Sequence, residues 1–233
     1  MPDQPKVSII TPSFNQARFL EQTIRSVLEQ DYPNIEYIVI DGGSSDGSLE
    51  IIQKYADRLA YWQSQKDKGQ TDAINQGFAR ATGEILAWLN SDDVLYPGAV
   101  SAAVRQLHEH PEIGMVYGDC HWINAEGKVI GNFPAAQTDL QKLRRGYVHI
   151  PQQTAFFRTD LWRKVGPLDD SFYFAMVMTS GRAWQAILRC SMCLNSGRHS
   201  ACTKARNPSP RMTAAGRRCC ACTTVTGERS FPY

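Results

Sequence analysis

The strongest constraint on this chain is the alternation of short apolar runs with amphipathic stretches through its first 118 residues. Val7-Ser8-Ile9-Ile10 within Lys6–Thr11, Ile35–Ile40 and Ile85–Leu89 are short, rich in β-branched residues and ended by turn-forming residues, which predicts buried strands. Between them, Ala17–Gln30 carries Phe19, Leu20, Ile24, Val27 and Leu28 at helical spacing, and Thr71–Ala81 repeats the pattern. Ser45-Asp46-Gly47-Ser48 suits the start of a helix running to about Lys54. A weaker strand at Leu59–Gln63, a helix over Pro97–His108 and a strand over Gly114–Tyr117 complete the series. Strands and helices alternating in this way predict an α/β fold whose mainly parallel sheet is covered on both faces.

From Trp122 to Met176 the pattern becomes mixed. A hairpin over Trp122–Asn132 turns at Ala125-Glu126-Gly127, followed by a short helix over Gln137–Arg145. A strand over Thr154–Arg158 and a helix over Thr159–Val165, closed by Gly166-Pro167, come next.

In such sheets ligands bind where the carboxyl ends of the strands open into loops. Thr11-Pro12-Ser13, Asp41-Gly42-Gly43 and Ser91-Asp92-Asp93 all fall at such ends, which points to one site. Adjacent carboxylates such as Asp92 and Asp93 at the end of a buried strand are costly unless a cation neutralises them. Magnesium or manganese, held by one or two carboxylates with phosphates completing the shell, meets that need. The competing reading is a solvated pair capping the next helix. Asp41 could accept hydrogen bonds from a base N–H or a ribose hydroxyl, or simply form the turn with its two glycines. Thr11, Pro12, Ser13 and Asn15 could line the same pocket through backbone and hydroxyl groups, or be an ordinary strand-to-helix loop. Lys68 precedes a helix that starts near Gln70, and Asp72 and Asn75, three residues apart, share a helix face. That face points to the pocket, or else is an exposed first turn.

Val7-Ser8-Ile9-Ile10-Thr11-Pro12-Ser13-Phe14-Asn15, Val39-Ile40-Asp41-Gly42-Gly43-Ser44-Ser45-Asp46-Gly47, Asp72-Ala73-Ile74-Asn75-Gln76-Gly77 and Asn90-Ser91-Asp92-Asp93 occur in that order. Together they resemble family 2 glycosyltransferases of the GT-A fold, over about residues 5–176. The resemblance implies that Thr11, Pro12 and Asp41 contact a nucleoside, with Asp72 nearby. It implies a nucleotide-sugar pocket that also takes in Ser13, Asn15, Lys68, Asn75 and Asp92. Asp92 and Asp93 correspond to the family's metal and ribose carboxylates, with Mn or Mg as the metal. Gln152 borders the acceptor side. The implied reaction moves a sugar, with inversion, from a nucleotide-diphosphate donor (a UDP-sugar favoured) to a sugar or lipid-linked acceptor hydroxyl, as in polysaccharide assembly. Nucleic acid is not an expected partner.

Inversion needs a base for the acceptor hydroxyl proton. The resemblance puts a carboxylate for this in an Asp-Tyr-Asp-Leu-Trp-like segment directly after Ser171-Phe172-Tyr173-Phe174-Ala175-Met176. The chain instead reads Val177-Met178-Thr179-Ser180-Gly181-Arg182-Ala183-Trp184, so the catalytic base is unassigned. The composition also changes there. Residues 177–233 hold nine of the 25 Lys+Arg, one of the 23 Asp+Glu (Glu228) and six of the seven cysteines, giving 9 − 1 = +8 against 16 − 22 = −6 for residues 1–176. One base inserted after the first base of the Val177 codon lets the following codons encode an Asp-Tyr-Asp-Leu-Trp run. The tail therefore reads as out-of-frame translation. A zinc module is the rival, but Cys190-x-x-Cys193 and Cys219-Cys220-x-Cys222 do not form two clear knuckles.

The expected organisation is a transferase domain over 1–176, divided into a nucleotide-sugar half (1–118) and a partial acceptor half (119–176), with a poorly structured tail over 177–233. The N-terminus lacks a signal-like apolar run, and no uncharged apolar stretch reaches spanning length. The expected location is the cytoplasm, with room for a peripheral contact at the inner face of the membrane. A chain that has lost its general base would turn over about 10²–10⁴ times more slowly, so a catalytically silent nucleotide-sugar binder is the alternative function. A nucleotidyltransferase is less favoured, because Thr11–Asn15 is not a Gly-rich basic phosphate loop.

Overall fold

The computed structural model describes residues 4–137, 141, 150–169, 191–194 and 202–205. Its centre is a seven-stranded sheet built from β1 (Val7–Ser13), β2 (Ile35–Asp41), β3 (Tyr61–Ser64), β4 (Ile85–Trp88), β6 (Met115–Gly118), β9 (Phe156–Arg158) and β10 (Ser191–Leu194), in the order β10-β6-β9-β4-β1-β2-β3. β1 lies parallel to both β2 and β4, and β2 to β3; only β9 runs antiparallel to its neighbours β4 and β6. The sheet is thus mixed and mostly parallel, as the alternating sequence predicts. A smaller sheet has the order β5-β11-β7-β8, from β5 (Asp93–Leu95), β7 (Cys120–Ile123), β8 (Val129–Phe133) and β11 (Cys202–Ala205).

Alternation along the strands sorts the core into two layers. Val7, Ile9, Tyr37, Val39, Ile85 and Ala87 face α1 (Ala17–Leu28), α2 (Ser48–Lys54) and α4 (Ala99–Glu109). Ile10, Ile38, Ile40, Leu86 and Trp88 face Ala73, Ile74 and Phe78 of α3 (Gln70–Arg80), with Trp162 of α5 (Thr159–Val165) against the same layer. α3 lies unusually close: a Cβ on Gly77 would stand 2.5 Å from Ile10 Cγ2.

Of the tail, the two described segments are strands rather than a separate unit. β10 adds parallel to β6, and β11 lies between β5 and β7. The register sets Lys204 opposite Asp93. The expected helix over Gln137–Arg145 and the segment around Val177 where the base is expected lie outside the described residues or almost wholly so. Among the described residues no helix is long and apolar enough to cross a membrane.

Candidate functional site

The carboxyl ends of β1, β2 and β3 are in line, with Ser13 opposite Asp41 and Asp41 opposite Ser64. Asp41 is fully buried, and its carboxylate is occupied by the protein itself. It accepts from the N–H groups of Gly43 (3.1 Å) and Ser44 (2.9 Å), from Ser64 Oγ (2.6 Å) and from Ser44 Oγ. A carboxylate has about four acceptor positions. Three of the four bonds fall on Oδ2 and one on Oδ1, so Asp41 shapes the loop that a ligand would meet.

Neighbouring loops are fastened to that turn. Asn15 adopts a left-handed φ of 52°, which Asn tolerates better than most residues. Its N–H donates to Ser44 Oγ (2.8 Å) and its Oδ1 accepts from the Ser45 N–H (3.0 Å). Asp46 and Ser48, expected to start α2, also cap α1: Ala17 N–H donates to Asp46 Oδ2 (2.9 Å) and Gln16 N–H to Ser48 Oγ (3.2 Å). Partial burial works to raise the Asp46 pKa, but hydrogen bonds from Ser48 and Ala17 outweigh it and hold it below the ordinary range.

The Thr11 hydroxyl is turned into the protein. It is fully buried and shares a 2.9 Å hydrogen bond with Tyr37 OH. Burial drives the Tyr37 phenol pKa upward, against a smaller opposing effect of that hydrogen bond. Pro12 is buried opposite Ile40, and Ser13 is 4% exposed, its hydroxyl oxygen without a hydrogen-bond partner among the described residues. Phe14, one residue on, is 60% exposed.

The loop before α3 carries Asp67, whose carboxylate lies over Gly42, within 3.0 Å of where a Cβ would be. Burial, and then the like charges of Asp72 and Asp41, push the Asp67 pKa above the usual carboxylate range against the Gly69 N–H bond. Lys68 is exposed, and its backbone N–H donates to Asp72 Oδ2 (3.1 Å), which also accepts from Gln76 Nε2 (2.9 Å). Asn75 is not gathered with these residues. Its amide is committed at both ends to Leu168, accepting from the N–H and donating to the C=O, each at 2.9 Å. Through these bonds Asn75 fastens α3 to the 166–169 segment.

At the end of β4 the chain turns through Asn90, Ser91 and Asp92 into β5. Asp93 is the first residue of that strand and wholly buried, while Asp92 is half-buried on the turn. The solvated-cap reading therefore fails for Asp93. Thr23 Oγ1 of α1 donates to the carbonyls of Ser91 (2.9 Å) and Asp93 (2.8 Å), pinning the turn from below. Asp93 Oδ2 accepts from Asn90 Nδ2 (3.2 Å). Gln152, in the 3₁₀ turn Gln152–Thr154, reaches the same place, its Oε1 accepting from Asn90 Nδ2 (3.3 Å).

This geometry sits on a chain that matches the model of glycosyl transferase family 2 over residues 8–180. The chain belongs to that family. An uncharacterized glycosyltransferase of Mycobacterium tuberculosis is 34% identical over 201 residues, covering 83% of this chain and 76% of the relative. A GalNAc(5)-diNAcBac-PP-undecaprenol beta-1,3-glucosyltransferase of Campylobacter jejuni is 36% identical over 133 residues, covering 55% and 42%. The fold is similar to that of S. aureus TarS 1-349, solved in complex with UDP-GlcNAc, at a TM-score of 0.71 with 20% identity, covering 90% of this chain and 61% of that one. The mannosyltransferase PcManGT of Pyrobaculum calidifontis, solved with GDP-Man and Mn2+, gives 0.65 at 20% identity, covering 90% and 59%. The chain thus spans about three fifths of these solved structures.

For a family 2 glycosyltransferase, the donor set at the β4–β5 turn suits a hard divalent cation. It consists of adjacent carboxylates, one of them buried, with no His or Cys in the turn. Among the described residues no group of three or more His, Cys, Asp or Glu side chains gathers into a cage, so a cation here would draw its other ligands from a bound phosphate and water. Sequence reasoning left without a role two residues that meet at this turn. Asn90 was in view as part of the Asn-Ser-Asp-Asp run, and Gln70 as the first residue of α3.

Proposed function

We propose that this family 2 glycosyltransferase binds a nucleotide-diphosphate sugar at the carboxyl ends of β1, β2 and β4 and transfers the sugar, with inversion, to an acceptor hydroxyl. The observation that carries the reading is the buried Asp93 beside Asp92 on the β4–β5 turn, reached from α3 by Gln70 and from the acceptor half by Gln152. Asp92 and Asp93 would hold Mn or Mg, which when bound neutralises charge on the departing diphosphate. The loop organised by Asp41, Asn15 and Ser44 would receive the nucleoside, with Pro12 and Ser13 in its wall and the exposed Phe14 ring as a flat apolar surface for the base. Lys68 and Asp72 stand at the start of α3, on the way to the phosphates. Asn75 contributes by fastening α3.

Relatives support a donor of this class. TarS was solved with UDP-GlcNAc and PcManGT with GDP-Man, and a UDP-sugar is the donor we favour. The name of the Campylobacter relative describes a lipid-linked acceptor, and such an acceptor would suit a role in polysaccharide assembly at the inner face of the membrane. Residues 1–176 would be the transferase unit, split at about residue 118, and 177–233 an out-of-frame tail. Resequencing codons 170–185 tests this: an alternative frame encoding the Asp-rich segment is expected, and its absence would contradict it.

Incubation with UDP-sugars and release of free UDP tests the transferase reading. Release that depends on Mn2+ and on an added acceptor supports transfer. Tight UDP binding without release supports the second reading, a nucleotide-sugar binder, which the replacement of the expected base segment by Val177–Trp184 favours.

A further inference from the structure

Four side chains around the β4–β5 turn form a chain of hydrogen bonds whose direction is fixed at one end. The Trp88 carbonyl can only accept, so Gln152 must turn its Nε2 toward it, which it does at 2.8 Å. Gln152 Oε1 then faces Asn90 and must accept, which obliges Asn90 to present Nδ2. The same Nδ2 donates to Asp93 Oδ2, while Asn90 Oδ1, turned the other way, accepts from Gln70 Nε2 at 2.7 Å. Both hydrogens of the Asn90 amide are used. Reversing that amide would set its oxygen against the carboxylate and against Gln152 Oε1.

We infer that Asn90 is a positioning residue for Asp93, and that Gln152 sets its polarity. Gln152 then acts on the donor side as well as bordering the acceptor side. The Asn90 amide N–H on Oδ2 favours one orientation of the Asp93 carboxylate. The relay also joins three elements far apart in sequence, the start of α3, the β4–β5 turn and the 3₁₀ turn at 152–154. Displacement of the 3₁₀ turn therefore reaches the cation ligand through two hydrogen bonds. Partners of metal ligands that act in this way typically change metal affinity by about 10–100-fold when removed.

This inference rests on the reading of Asp92 and Asp93 as cation ligands. Its test is calorimetry of UDP binding to the full chain, with and without Mn2+, for the wild type, Asn90→Leu and Gln152→Met. Asn90→Leu keeps the Cγ-branched frame and Gln152→Met the side-chain length, and both remove the hydrogen bonds without adding charge. The gain in UDP affinity brought by Mn2+ is expected to fall about 10–100-fold in each variant, with metal-free UDP affinity retained. A merely structural role would lower both affinities together, and that result, or an undiminished Mn2+ gain in a folded variant, overturns the relay. Should Asn90→Leu fail to fold, Gln152→Met alone decides. A wild type that gains nothing from Mn2+ overturns the cation reading itself, and the inference with it.

Discussion

Burial and two neighbouring carboxylates work against the Asp67 carboxylate, and its charge is not needed to hold its loop. An Asp with a raised folded-state pKa penalises the folded state once ionised, so the penalty is full at neutral pH and vanishes below the ordinary carboxylate range. Asp67→Asn, which keeps an acceptor for the Gly69 N–H, is expected to raise the melting temperature at pH 7. The gap to the wild type should close as the pH falls below about 4. Asp41 matters through the hydrogen bonds it accepts. Its truncation to alanine strands two N–H groups and two hydroxyls, and should cost about 3 kcal/mol or more in denaturant unfolding. Asp46 and Glu36 both have pKa values held low, so the stability they contribute is present above the ordinary carboxylate pKa and is lost as pH falls through their folded values. For Glu36, burial works upward first, and hydrogen bonds from Ser8 and Thr82 reverse it.

Among the elements, the central strands and α1, α3 and α4 were legible in the sequence because each repeats its apolar period over several residues. β5 was not. Asp93-Val94-Leu95 is three residues long and begins with a carboxylate, so neither length nor composition marks it, and its pairing comes from residues far along the chain. β10 and β11 were hidden for a related reason, since Ser-Met-Cys-Leu and Cys-Thr-Lys-Ala lack a strand period and gain their form from the edges they meet. Site residues followed the same rule. Turn positions such as Asp41 and Asp92 could be placed from the strand ends, whereas Leu168, the partner of Asn75, and Gln152, one partner of Asn90, lie 93 and 62 residues away and no local pattern names them. The approach of α3 to β1 gives a prediction at this scale. Gly77→Ala should destabilise by about 1–3 kcal/mol from overpacking against Ile10, although alanine favours a helix by about 1 kcal/mol over glycine. Chemical unfolding decides, and a net gain in stability would show that α3 is free to shift.

For the whole molecule, two halves of the chain meet at one turn. Residues 4–118 supply the loops at the ends of β1, β2 and β4, and the 150–169 segment returns over α3 through Asn75 and reaches Asn90 of the β4–β5 turn through Gln152. Membership of glycosyl transferase family 2 agrees with this arrangement. The family resemblance read from the ordered motifs is shown by the family match, and within the fold Thr11 is buried, Asn75 clamps α3 to Leu168, and Asn90 and Gln70 meet at the β4–β5 turn. The central claim is that Asp93 makes nucleotide binding depend on a divalent cation. Calorimetric titration of UDP with and without Mn2+, for the wild type and Asp93→Ala, tests it most directly. The account predicts Mn2+-enhanced binding in the wild type that Asp93→Ala abolishes; equal enhancement in a folded Asp93→Ala protein would contradict it.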